Sequence, residues 1–284
     1  MLLSVVVPMS AQENTIIRVS TWASKIEFPE VELILVDDEK FIDSDSHRKL
    51  MRELEFCKNN LKITHIITAF NGPGAGRNIG KELASGEWVV FWDSDDFPNL
   101  EATLNVIEQN KEFEVDAIVS QYRNISAKTN LEIYRSNDRT INELVFNPGL
   151  WRIIFANSDK FKRLKFIETY MGEDQAFILN CLFANFKLSF NDTVIYNYFT
   201  NQEFQLTRNR KKIADIKKTI EHIMQDRVTS DCSLNELKYI IIMKLNISRI
   251  KYGSLYQRLD GAFTIVKILR KVGLKSFFLI LTKR

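Results

Sequence analysis

"WVVFWDSDDFP", residues 88–98, runs from an apolar stretch into three carboxylates within four positions, Asp93, Asp95 and Asp96. Val89, Val90, Phe91 and Trp92 read as a strand heading into the interior. Two unit negative charges about 5 Å apart repel by roughly 3 kcal/mol at an effective dielectric near 20. Something must offset that repulsion where the strand surfaces. A helix N-terminus accounts for one or two of the acids, Asp96 before Pro98 for instance, because free N–H groups there favour acidic and capping residues. An oxygen-rich site for a hard divalent cation, bridging protein to phosphate, accounts for all three and is the preferred reading.

Outward from that stretch, the first half of the chain alternates. Apolar runs at 2–7, 31–36, 61–68, 87–92 and 115–120 read as strands. Helical spacing covers 12–25, 45–59, 75–86 and 99–109, with Gly86 closing the third helix. This alternation predicts a parallel sheet with crossover helices, whose ligands sit beyond the carboxyl ends of the strands. Strands one, two and four end there, so Ser10, Asp37, Asp38, Asp93 and Asp95 are expected to converge. Residues 121–200 lose the alternation, apart from one clear helix at 173–185.

Two further motifs bear on that crevice. "GPGAGRNIG" (72–80) lacks the Gly-Lys-Ser/Thr of a phosphate loop and does not follow the first strand as a dinucleotide fingerprint does. It reads as a tight turn into a helix, with Arg77 as a fixed cation beside a phosphate crevice. "GEDQAF" (172–177) sets Glu173 and Asp174 at the first turn of an apolar helix. They compensate the helix dipole there, and a carboxylate on a rigid helix end can also serve as a general base.

The 284 residues suffice for one large α/β domain with an appendage, or for two modest domains. Cys57, Cys181 and Cys232 are scattered, as are His47, His65 and His222, which argues against a disulfide framework and a zinc site. We read no signal peptide and no 18-residue uncharged apolar run, so the cytoplasm is the expected compartment. Charge is unevenly placed: residues 205–284 hold 18 Lys/Arg against 6 Asp/Glu, and residues 1–204 hold 21 against 30. A basic tail of this kind suits anionic lipid, nucleic acid or an acidic partner. Within 262–281, Lys267, Lys271 and Lys275 recur along one side, Phe263, Val266, Leu269 and Val272 occupy another, and 277–281 is wholly apolar. Such a helix either packs on the body by its stripe or lies on an anionic membrane surface.

Taken together, "SVVVP", "LILVDD", "GRNIG", "WVVFWDSDDFP" and "GEDQAFIL", in this order and spacing, resemble the family 2 glycosyltransferases of the GT-A fold over residues 1–200. The resemblance implies an α/β, Rossmann-like fold, a mostly parallel central sheet flanked by helices, and the helical, increasingly basic pattern from about Lys211 adds a C-terminal helical extension. The GT-A domain would span 1–210, its nucleotide-sugar half 1–120 and its acceptor half 121–210, with basic helices over 211–284. Pro8, Ser10, Glu13, Asp37, Asp38, Arg77, Asp93 and Ser94 would hold the donor, and Asp95 a Mn²⁺ or Mg²⁺ ion. Asp174 would be the catalytic base, with Trp151 and Glu173 near the acceptor. Two departures leave the donor base and sugar contacts less defined: Ser10-Ala11 stands for the usual Tyr-Asn, and Glu39-Lys40 for Gly-Ser.

The implied function is inverting, metal-dependent transfer from a nucleotide sugar, in the first place a UDP-sugar, to a hydroxyl of a saccharide or lipid-linked saccharide. No nucleic acid is expected as a partner; an anionic membrane surface at the inner face, met through the basic C-terminal helices, and a homo-oligomer stay open as alternatives to packing on the body. One rival is a nucleotidyltransferase making nucleotide sugars, which wants a Gly-rich, Arg-containing loop where this chain has "MSAQEN". Another is a non-catalytic sugar-nucleotide-binding protein, which has no need of Glu173-Asp174.

Overall fold

The computed structural model describes residues 1–9, 19–23, 28–41, 44–57, 61–146, 148–200, 213–225 and 232–272. Its strands are β1 (Leu3–Met9), β2 (Val31–Asp38), β3 (Lys62–Thr68), β4 (Trp88–Phe91), β5 (Phe97–Pro98), β6 (Ala117–Ser126), β7 (Glu132–Arg135), β8 (Ile153–Ala156) and β9 (Leu188–Thr200). They form one sheet in the order β3-β2-β1-β4-β8-β6-β9-β5, with β7 on β6.

The four N-terminal strands are mutually parallel, as the alternation predicts. The expected fifth strand is present as β6, but it does not neighbour β4. Strand β8 lies antiparallel between them, and β9 pairs parallel to β6. The sheet is therefore mixed. An antiparallel neighbour needs no crossover helix, so β8 leaves no helical signal in the sequence to announce it.

The central strands are buried on both faces. Val6, Ile34, Val36, Val89, Phe91, Val119 and Phe155 belong to one core. Val5, Val7, Leu33, Leu35, Val90, Ile118 and Ile154, the alternate positions, belong to the other. This is why the sequence shows continuous apolar runs rather than alternation.

Helices α1 (Ser44–Cys57), α2 (Gly72–Leu83), α3 (Leu100–Asn110), α4 (Ile141–Phe146), α5 (Asp159–Arg163) and α6 (Glu173–Phe183) join these strands. Helix α2 begins earlier than its periodicity suggests, because Pro73 suits a first turn. It ends at Leu83 with Ala84 as its C-cap, so Gly86 does not close it. Gly86 instead donates its N–H to Ser4 Oγ at 2.8 Å. Helix α3 is capped by Asn99, whose side chain accepts from the Ala102 N–H at 3.0 Å, and Asp96 is not the cap. Of the expected helix at 12–25, residues 19–23 are helical and the rest lies outside the described residues.

At the amino end of the sheet, Glu32 is buried and accepts from Ser4 Oγ (2.7 Å), Ser85 N (2.7 Å), Ser85 Oγ (2.8 Å) and Lys62 Nζ (2.7 Å). Burial alone would raise its pKa, but these donors outweigh it and lower it to about 2.

Three further helices follow: α7 (Asp215–Gln225), α8 (Cys232–Tyr252) and α9 (Leu255–Val272). Ile216 and Ile220 of α7 and Ile241, Ile242 and Met243 of α8 share the core cluster of Phe177 and Leu179 in α6. Ser254 and Gln257 form a reciprocal capping box at the start of α9. Arg249 of α8 pairs with Asp260 of α9. The inward face of α9 carries Ile265 and Ile268, whereas Phe263 and Val266 point outward. Of the Phe263–Val266–Leu269–Val272 stripe expected from periodicity, Leu269 packs against the core while Phe263 and Val266 do not, and the side chain of Val272 lies outside what the structure describes.

Candidate active site

Three carboxylates crowd one turn because each goes somewhere different. Asp93 accepts from Arg77 Nη2 at 2.9 Å. Asp96 is buried and tied to β9: it accepts from the Phe199 N–H (2.8 Å) and the Tyr196 hydroxyl (3.1 Å). The Tyr196 oxygen in turn accepts the Asp93 N–H at 3.1 Å, so one phenol pins both ends of the turn. Burial, then the charges of Asp95 and Asp93, push Asp96 well above the usual carboxylate range. Asp95 is exposed, and Ser94 is half-buried.

Arg77 is the hub. Its second arm, Nη1, reaches Glu173 Oε1 at 2.9 Å, so one buried guanidinium joins the β4 turn to the start of α6. Burial alone would lower its pKa, but the carboxylates of Asp93, Glu173 and Asp174 push it upward, and it stays charged. Its guanidinium lies 5.8 Å from the centre of the Phe166 ring, which stacks on Phe177 at 3.8 Å. Asn78, one residue on, clamps the Phe166 backbone in both directions, at 3.0 and 2.8 Å.

The glycines before Arg77 serve this approach. A Cβ on Gly74 would stand 2.3 Å from the Ile167 carbonyl oxygen, so only glycine lets that segment lie against α2. The segment then enters α6 through Gly172, at φ +87°, a left-handed conformation that glycine adopts freely.

Asp174 follows at the first turn of α6. Burial raises its pKa, while Arg77, the Gln175 N–H and Lys244 pull the other way. Glu173 is raised too, by burial and then by the Asp174 charge, against Arg77. Lys244 comes from α8, where its neighbour Leu245 packs against Gly172. Burial lowers Lys244 to about 8, opposed by Asp174 and Asp138.

The remaining expected residues fall as follows. Asp37 and Asp38 end β2 and are buried; Asp37 Oδ2 lies 3.5 Å from His65 Nε2, and Asp38 accepts from the Lys40 N–H at 3.2 Å. Lys40, at one departure from the family pattern, donates to the Phe70 carbonyl (3.1 Å) and to Asn71 Oδ1 (3.0 Å). Pro8 is buried in β1, and Ser10 and Glu13 lie outside the described residues. Trp151 stacks on Tyr196 (4.5 Å) and Tyr198 (5.4 Å) and meets Tyr122 edge-on. Glu173 is buried and paired with Arg77. The sequence reading missed Tyr196 and Lys244. Lys244 did carry a signal, as the lone charge in "YIIIMKLNI" (239–247), and the period-two tyrosines of "VIYNYF" (194–199) were another.

Among the described residues, no three His, Cys, Asp or Glu side chains are grouped as a metal cage. On this turn Asp93 is engaged by Arg77 and Asp95 is exposed. That donor set fits Mg²⁺ or Mn²⁺ completed by phosphate oxygens and water, and it does not fit a cation held by protein alone.

The model of the family described as "Glycosyl transferase family 2" matches residues 4–178, and the chain belongs to that family. It is 25% identical over 215 residues to a poly(ribitol-phosphate) beta-glucosyltransferase of Bacillus spizizenii, covering 72% of this chain and 33% of the relative. It is 26% identical over 213 residues to the poly(ribitol-phosphate) beta-N-acetylglucosaminyltransferase TarS of Staphylococcus aureus, covering 70% and 36%. The chain thus spans about a third of the length of these relatives. Among solved structures, TarS residues 1–349 with UDP-GlcNAc superposes with a TM-score of 0.71 at 18% identity, covering 97% of this chain and 83% of that one. The mannosyltransferase PcManGT of Pyrobaculum calidifontis, with GDP-Man and Mn²⁺, gives 0.59 at 13% identity, covering 99% and 78%. At these identities the likeness is one of fold, and the fold is of the GT-A type.

Proposed function

We propose that the chain is an inverting, metal-dependent glycosyltransferase that moves a sugar from a UDP-sugar to a hydroxyl of a saccharide or lipid-linked saccharide. The observation that carries this is the Arg77 hub, which sets the Asp93–Asp95 turn and the Glu173-Asp174 helix end side by side. We assign Pro8, Ser10, Glu13, Asp37, Asp38, Asp93 and Ser94 to the donor side. Arg77 orders Asp93 and supplies positive charge near the diphosphate. A Mg²⁺ or Mn²⁺ ion held by Asp95 would neutralise that diphosphate as it leaves.

Asp174 takes the proton from the attacking acceptor hydroxyl, and a single displacement inverts the anomeric carbon. The fields of Arg77 and Lys244 favour its ionised form against burial. Two curated relatives are named as beta-transferases, and a beta product from an α-linked nucleotide sugar is an inversion. Trp151, on its tyrosine stack, offers a flat apolar surface to an acceptor ring, and Glu173 supports that side through Arg77.

UDP release from a panel of UDP-sugars, with and without Mn²⁺, tests the proposal. Asp95→Ala and Asp174→Asn should abolish release at unchanged melting temperature. Full turnover in excess EDTA would remove the metal assignment. Retained turnover in Asp174→Asn would remove the base.

A further inference from the structure

Helix α9 is apolar on two opposite sides. Gly261, Ile265 and Ile268 face α8 and are buried. Opposite them, Leu255, Leu259 and Phe263 are 75%, 64% and 62% exposed, and Tyr256 and Val266 are exposed with them. At 100° per residue these five positions fall within one 100° arc, centred opposite the buried face. A soluble helix ordinarily turns charge to that side, and a contiguous apolar stripe of this size marks an interaction surface.

The charges around the stripe identify what covers it. Arg258, Lys267 and Arg270 are exposed on α9, and Lys251 is exposed at the end of α8. Asp260, the acid of α9, is bound to Arg249. Lys267 Nζ lies 4.7 Å from the centre of the Phe263 ring, so cation and apolar group are presented together. The sequence that follows, 273–284, adds Lys275, Lys283 and Arg284 and no acid. A second copy docked stripe to stripe would oppose cation to cation. An anionic bilayer offers both what the apolar side chains need and what the cations need. Among the described residues no helix is long and apolar enough to cross a membrane, so this helix would lie on the surface.

We propose that the outer face of α9 docks the protein on an anionic phospholipid surface, with Leu255, Leu259 and Phe263 entering the headgroup boundary and Lys267 and Arg270 on the lipid phosphates. The inference goes beyond sugar transfer, and its readout needs no donor. It is tested by co-sedimenting the full 284-residue chain with phosphatidylcholine vesicles, with and without phosphatidylglycerol. Binding is expected only with phosphatidylglycerol, at low salt, with release at high salt. The double substitution Leu259→Asp and Phe263→Asp should abolish binding without lowering the melting temperature, because both side chains are exposed. Lys267→Gln and Arg270→Gln should each weaken partitioning about fivefold. Wild-type protein remaining in the supernatant at low salt would overturn the proposal. So would a wild-type dimer that the double substitution converts to monomer, since a second copy would then cover the face. In either case UDP release, measured separately, leaves the catalytic reading standing or falling on its own.

Discussion

Arg77 and Glu173 stand 96 positions apart in the chain and meet side chain to side chain at 2.9 Å. The same guanidinium reaches Asp93, so one cation ties α2, the turn after β4 and the start of α6 together. Removing one member of a buried ion pair strands the other and costs about 3–5 kcal/mol. Arg77→Met should destabilise by that order in urea unfolding. Arg77→Lys should lose much of the same stability, because an ammonium lacks the planar fork that reaches two carboxylates. Glu173→Gln should cost less, since Arg77 keeps Asp93. An Arg77→Met midpoint equal to wild type would show that the hub holds nothing together.

As the proposed base, Asp174 should set the acid limb of activity. A base must be ionised to work, and burial raises its pKa, so transfer should fall at a pH above the ordinary carboxylate range. Lys244 stabilises the ionised form. Lys244→Met therefore raises the Asp174 pKa further and moves the limb to higher pH, with the plateau rate little changed. A pH–rate profile of both proteins decides the matter: an unmoved limb excludes Lys244 from the field of Asp174.

Glu32 governs stability in acid. Its pKa is lowered from 4.5 to about 2 on folding, so the native state favours the carboxylate. The resulting stabilisation is complete above 4.5 and is lost as pH falls toward 2. Glu32→Gln should be less stable at neutral pH by about 1–3 kcal/mol. The gap to wild type should close between those two pH values, and denaturant titrations across that window measure it.

Tyr196→Phe deletes the hydroxyl that accepts the Asp93 N–H and donates to Asp96. It leaves a buried carboxylate short of a donor, a cost of about 1–3 kcal/mol. Donor affinity should weaken as well, because the turn bearing Asp95 loses its pin. Calorimetry with UDP and Mn²⁺, beside a melting curve, separates the two effects. Unchanged affinity in a destabilised variant would make Tyr196 purely structural.

Much of the amino-terminal half could be read from the sequence, because strands buried on both faces write continuous apolar runs and parallel pairing spaces them with helices. Asp93, Arg77 and Glu173 could be singled out because charged groups at strand and helix ends have few inexpensive explanations. Their partnership could not be read. Nothing local tells Arg77 that Glu173 will arrive 96 residues later, so the residues alone give no sign that one guanidinium serves both Asp93 and Glu173. The sequence offers a helix cap as one reading of Asp96 because caps are local, whereas its partners lie on β9. The insertion of β8 between β4 and β6 left no mark because short antiparallel strands need neither length nor a crossover.

The pin through Tyr196 also bears on the order of assembly. Asp93 and Asp96 emerge from the ribosome about a hundred residues before Tyr196 and Phe199, which anchor them. Strand β6 must likewise wait for β9 before its other edge is paired. Pairings so distant in sequence close late, after local helices and the parallel β1–β4 core can collapse. During vectorial synthesis the acidic turn cannot gain this pin until β9 has been made. A chain halted after residue 178, where the family match ends, would hold every carboxylate of the candidate site and lack the phenol that pins the turn.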